Sequence, residues 1–160
     1  MLKMKENISE HAKGVIIGNQ SRAVLISDIV ETCEKNGYDI DLVANSCFYK
    51  GGVDASRDAE GDNPDDFVRF MTAGNVEVFD KEVVQLDPEL SVARFHYCPL
   101  VAKWEEMGLS QERITYLCDL AGRSDYGRAS NFKNVDLSFP KRLSCGDPYC
   151  ELVAKAKNKS

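Results

Sequence analysis

At Asn75 the apolar residues of this chain change their spacing, recurring every third or fourth position before it and alternating after it. The first period puts side chains on one stripe of a helix, and the second puts them on one face of a strand. A chain that lays down helices first and strands afterwards is expected to be α+β, with its N-terminal helices packed on an antiparallel sheet.

Upstream of the change, residues 21–37 place Ala23, Val24, Ile26, Ile29, Val30 and Cys33 on one helical face. Ser21 is the expected N-cap and Gly37 the left-handed end, with Cys33 as packing. Residues 39–49 carry Ile40, Leu42, Val43, Cys47 and Phe48 at helical spacing, and Gly51-Gly52 is expected to stop that helix. The next stretch holds Asp54, Asp58, Glu60, Asp62, Asp65 and Asp66, but lacks the residue order and closing glutamate of a calcium loop. It reads as a solvated loop opening onto a helix, with Asp62 or Asn63 as cap, Pro64 at the first position and Asp65-Asp66 at the positive end of the dipole. That helix carries Phe67, Val68, Phe70 and Met71 and is expected to end near Gly74.

Downstream, residues 75–87 and 90–98 read as extended runs joined at Asp87-Pro88. Alternation in the second run gives Val92, Arg94 and His96 one face and Ala93, Phe95 and Tyr97 the other. Pro99 opens a helix over 100–107 that Gly108 stops, with Trp104 as a core anchor. Ser110 caps a second helix over 111–121, with Ile114, Leu117 and Cys118 inside and Gly122 as its end. A polar loop then leads to a strand bearing Val135, Leu137 and Phe139, and the turn Gly146-Asp147-Pro148 precedes a last strand over 149–154. A helical pair is therefore inserted between the strands. The expected layout is a single domain over 1–160, comprising a mostly helical scaffold (1–74), a sheet and cysteine-rich half (75–154) and a frayed tail (155–160).

Hydrophobic residues at 43% and charged residues at 29% fit an ordinary globular protein. No run approaches the roughly 18 to 20 apolar residues of a membrane span. The first residues carry Glu6 and Glu10 without an apolar core, so no secretory leader is expected. The expected compartment is cytoplasmic, where thiols stay reduced. A net charge of −6 without a basic patch argues against nucleic acid. The expected partner is a small-molecule substrate or ligand, with an oligomer left open.

Chemistry-bearing residues concentrate in 94–151, which holds His96, Trp104 and four of the six cysteines. No Cys-x2-Cys pair marks a structural zinc site. Cys98, Cys118, Cys145, Cys150 and His96 are the candidate ligands if the fold gathers them around a zinc-like metal; burial as small apolar residues, with no cofactor, is the alternative. Asp119 stands at the expected C-terminal end of a helix, where the dipole opposes an anion, and so becomes a candidate acid or base. Asp125 and Asp147 can each close an Asx turn. His96 gains interest from the face it shares with Arg94.

In their order, CPLVAKWEEMGL, LCDLAGRSDYGRA and KRLSCGDPYCEL resemble the L-2-amino-thiazoline-4-carboxylic acid hydrolase family over about residues 79–153. The closing Cys-x4-Cys also resembles the end of the 4-vinyl reductase domain, a small-molecule-binding α+β module. The first resemblance implies an enzyme that opens a cyclic amidine thioether toward an N-carbamoyl or S-carbamoyl cysteine. It carries over onto Cys98, Cys118, Asp119, Asp125, Gly146, Asp147 and Cys150, with Cys145 less typical. On residue type, Cys98 or Cys118 is the nucleophile or a metal ligand, and Asp119 or Asp125 the base. Arg94 or Arg123 pairs with a substrate carboxylate, with His96 and Cys150 beside the substrate. The competing readings are a ligand-binding or sensor module and a cysteine-ligated metal or redox protein.

Overall fold

In the computed structural model, which describes residues 2–157, the first helix starts well before Ser21. This helix, α1 (Glu10–Asn36), is capped by Ser9, whose hydroxyl accepts the Ala12 N–H at 3.2 Å, while Gly37 closes it in the left-handed conformation. The early turns are held by tertiary burial. Ala12 and Ile16 pack with Val78, Tyr97 and Ala102, a contact that Gly14 and Gly18 hide from any propensity reading.

Gly51-Gly52 does not stop the second helical segment. α2 (Ile40–Ala44) runs through a π-helical stretch (Asn45–Tyr49) into α3 (Lys50–Ala55). Gly52 sits inside it because α3 crosses a later helix there at backbone contact. The acidic loop then behaves as expected. Pro64 starts α4 (Pro64–Thr72), Asn63 is its N-cap, and Asp66 Oδ2 accepts from the N–H groups of Asp62 and Asn63 at 3.1 and 3.0 Å.

The extended run expected from Asn75 begins instead with a helical turn, α5 (Val76–Phe79), and only then becomes β1 (Lys81–Gln85). Asn75 and Asp80 flank this turn with φ of 48° each, a conformation their short polar side chains tolerate. Val76 and Val78 alternate, but Val78 is buried against α1, and that contact decides the conformation.

β2 (Leu90–Phe95) follows the turn, then α6 (Pro99–Glu106) and α7 (Gln111–Ala129), then β3 (Val135–Lys141) and β4 (Cys150–Ala156). All neighbouring strands are antiparallel, in the order β1-β2-β4-β3, so α6 and α7 form the inserted pair. The expected α+β class therefore holds. Of the expected tail, Lys155 and Ala156 complete β4, and residues 158–160 lie outside the described residues.

α7 does not end at Gly122. It continues through the segment read as a polar loop, because Arg123, Ser124 and Arg128 find partners there. Asp119 is consequently in mid-helix and Asp125 is helical, so the dipole argument for Asp119 and the Asx-turn reading of Asp125 both lapse.

Trp104 is fully buried and donates from Nε1 to the Ala23 carbonyl at 2.9 Å, joining α6 to α1 in a core with Ile26, Val30 and Leu117. A second core sets Phe67 and Phe132 against the sheet residues Ala93, Leu137 and Leu152. Burying each such large side chain contributes about 1.5–3 kcal/mol.

Candidate functional site

Where these cores meet there is a cavity of about 760 Å³. Its apolar wall draws on Phe70 and Met71 of α4, Phe95 of β2, Leu100 and Trp104 of α6, and Phe139 of β3. Part of its polar wall is a stripe of α7, where Cys118, Asp119, Gly122, Asp125 and Arg128 recur every one to three residues along the facing side. A concave, mostly apolar volume of this size with a few converging polar groups is the usual form of a small-molecule site.

Three thiols from three elements line it. Cys98 is the N-cap of α6, Cys118 lies in α7, and Cys150 opens β4. Burial pushes the Cys98 thiol up, and Asp125 adds to the shift. Against this, the N–H groups of Leu100 and Val101 at the first turn of α6 favour the Cys98 thiolate, without making a regular capping hydrogen bond. Burial, then the charge of Cys98, pushes Cys118 up to about 12. Cys150 reaches about 12 for the same two causes, although its sulfur accepts the Leu143 N–H at 3.3 Å. At neutral pH all three are thiols, and a nucleophile among them needs a base. Ser144 is fully buried beside Cys118, and its hydroxyl makes no regular hydrogen bond among the described residues.

Asp125 borders the same cavity. Its side chain is 31% exposed, yet this surface faces the cavity, and burial raises its carboxyl against the pull of Arg128 and Arg22. Arg128 donates to Oδ1 at 3.0 Å. Asp119 also borders the cavity, but it is half exposed and paired with the Arg142 guanidinium, while the Arg142 backbone N–H donates to Asp147 Oδ2 at 2.8 Å. Asp147 thus closes the turn.

The structure places other sequence candidates elsewhere. Phe95 lines the cavity, so alternation turns Arg94 and His96 to the opposite face of the sheet. There Arg94 bonds Glu151 at 3.1 Å and lies over the Tyr149 ring, while His96 reaches Glu82 at 2.9 Å. Arg123 pairs with Asp41 and Asn45, and Cys145 is exposed; neither lines the cavity. Among the described residues no three His, Cys, Asp or Glu side chains stand together as a metal site.

Sequence reasoning missed Arg22, Lys81, Arg128 and Arg142, which all line the cavity. Lys81 is partly desolvated, which lowers its ammonium pKa, and its Nζ donates to the Met71 and Gly74 carbonyls at 2.9 and 3.0 Å. One signal was available. Cys118 and Asp125 are two helical turns apart, and reading the helix through Gly122 aligns them with Arg128.

The chain is similar to the crystal structure of a trafficking protein particle complex subunit 3 from Naegleria fowleri covalently bound to palmitic acid. The TM-score is 0.54 at 14% identity, covering 89% of this chain and 96% of that one, a likeness of fold alone. No curated protein matches the chain by sequence. Of the two family resemblances, the sequence profile of the first matches residues 19–153, which takes in α7, all three cavity thiols and most of α1. With that coverage, the chain belongs to the L-2-amino-thiazoline-4-carboxylic acid hydrolase family.

Proposed function

We propose that the cavity hydrolyses a small cyclic amidine thioether of the aminothiazoline type, with Cys98 as nucleophile and Asp125 as its base. The observation that carries this reading is the gathering of Cys98 and Asp125 in one desolvated cavity, with the first turn of α6 behind the sulfur. Asp125 takes the thiol proton as the Cys98 sulfur bonds to the ring carbon between nitrogen and sulfur, and the C=N electron pair moves to nitrogen. The tetrahedral centre collapses by breaking the bond to the ring sulfur, which leaves with the proton from Asp125. Water then attacks the enzyme-bound amidine carbon and releases Cys98, giving an N-carbamoyl cysteine. One water is consumed overall.

The test is incubation of the purified protein with L-2-amino-thiazoline-4-carboxylate, followed by mass spectrometry. A product heavier by one water, absent with Cys98→Ser, supports the reading. Wild-type turnover by Cys98→Ala removes that nucleophile, and no product with the wild-type protein removes the reaction.

A second reading, a module that holds an acyl chain, is favoured by the apolar wall of a cavity this large and by the palmitic acid bound to the fold neighbour. Incubation with a long-chain acyl thioester would then add one acyl group to the intact mass, removable by hydroxylamine. An unchanged mass counts against it.

A further inference from the structure

Four cations line the cavity, and three are engaged among the described residues. Lys81 is held by two carbonyls, Arg128 donates to Ser124 Oγ at 3.1 Å and to Asp125, and Arg142 is paired with Asp119. Arg22 differs. It projects from α1 at the solvent side of the cavity, and no hydrogen bond, ion pair or ring contact joins it to another described residue. Its charge nevertheless reaches Cys98 and Asp125 inside.

A guanidinium offers a rigid fork of donors that matches a carboxylate with two parallel hydrogen bonds. Arg94 and Arg123, the other arginines considered for that task, already hold Glu151 and Asp41 outside the cavity.

We propose that Arg22 is the anchor for the substrate's carboxylate, binding it at the rim so that the rest of the ligand enters toward Cys98 and Asp125. This rests on the hydrolase reading for the identity of the substrate. Its physical basis is separate: an arginine without a hydrogen bond or ion pair among the described residues, bordering a cavity whose other three cations are engaged. Anchoring the carboxylate there presents the ring to the thiol and leaves the engaged cations to shape the wall.

The experiment is calorimetric titration of the wild-type protein, Arg22→Ala and Arg22→Lys with L-thiazolidine-4-carboxylate and with its carboxamide. These probes carry the ring and lack the amidine carbon that would be attacked. Wild type should bind the carboxylate about tenfold or more tightly than the carboxamide, Arg22→Ala should lose that preference, and Arg22→Lys should retain part of it as a point charge. Equal binding of the two probes by wild type, a preference that survives Arg22→Ala, or binding of neither probe overturns the assignment. Turnover of the aminothiazoline is scored separately. An Arg22-dependent preference without turnover would sink the hydrolase reading alone, and turnover without that preference would sink the anchor alone.

Discussion

The carbonyl oxygen of Ser124 lies 2.0 Å from where a β-carbon on Gly52 would stand, so α3 and α7 touch backbone to backbone. Gly127 repeats the relationship in reverse, its ideal β-carbon falling 2.1 Å from the Tyr49 carbonyl oxygen. This crossing seats the stretch of α7 that carries Asp125 and Arg128.

Gly52→Ala or Gly127→Ala must push the helices apart, at an expected cost of about 1–3 kcal/mol or more. Gly14→Ala and Gly18→Ala, also inside a helix but with open space at the β-carbon, should stabilise by about 0.5–1 kcal/mol. Urea denaturation of the four variants reads both signs. Equal effects in the two pairs would contradict the close crossing.

The two cavity aspartates should separate kinetically. Asp125→Asn removes the proposed base and should lower kcat by about 100-fold or more. Asp119→Asn removes a half-exposed partner of Arg142 and should cost far less. Steady-state kinetics on the aminothiazoline decide it, and equal losses would leave Asp125 without a special role.

Ionising the buried thiols should unfold the protein at high pH. A free thiol titrates at about 8.5, whereas Cys118 and Cys150 are pushed up to about 12 by burial. The folded pKa is the higher one, so the stability tied to these thiols is fully present below about pH 8.5 and is lost as pH rises toward about 12. At about pH 10 the pair should cost at most about 4 kcal/mol. Tyr97 and Tyr126, also raised by burial, add to the trend. Denaturation midpoints at rising pH should therefore fall less steeply in a Cys118→Ala/Cys150→Ala protein than in wild type.

Arg94→Ala, His96→Ala and Arg123→Ala should each leave kcat/KM within about threefold, since these side chains stand outside the cavity, held by surface polar contacts that contribute about 0–1 kcal/mol. A loss of about 100-fold in any of them would place substrate outside this cavity.

Local chemistry made part of this protein legible before folding. The Gly37 end of α1, the Asn63-Pro64-Asp66 start of α4, Pro99 opening α6 and Ser110 capping α7 each depend on a few neighbouring residues. The family motifs also drew attention to Cys98, Cys118, Cys150 and Asp125, which the fold brings to one cavity. Tertiary structure decided the rest. Gly52 and Gly122 read as stops because glycine weakens isolated helices, and only packing keeps those helices intact. Val76 and Val78 alternate as a strand would, until burial of Val78 against α1 selects a helical turn. Arg22 was invisible on its own, because its role follows from which other cations are already paired. Caps and periods are set by neighbours along the chain, whereas helix crossings, cavity walls and unpaired charges are set by neighbours in space.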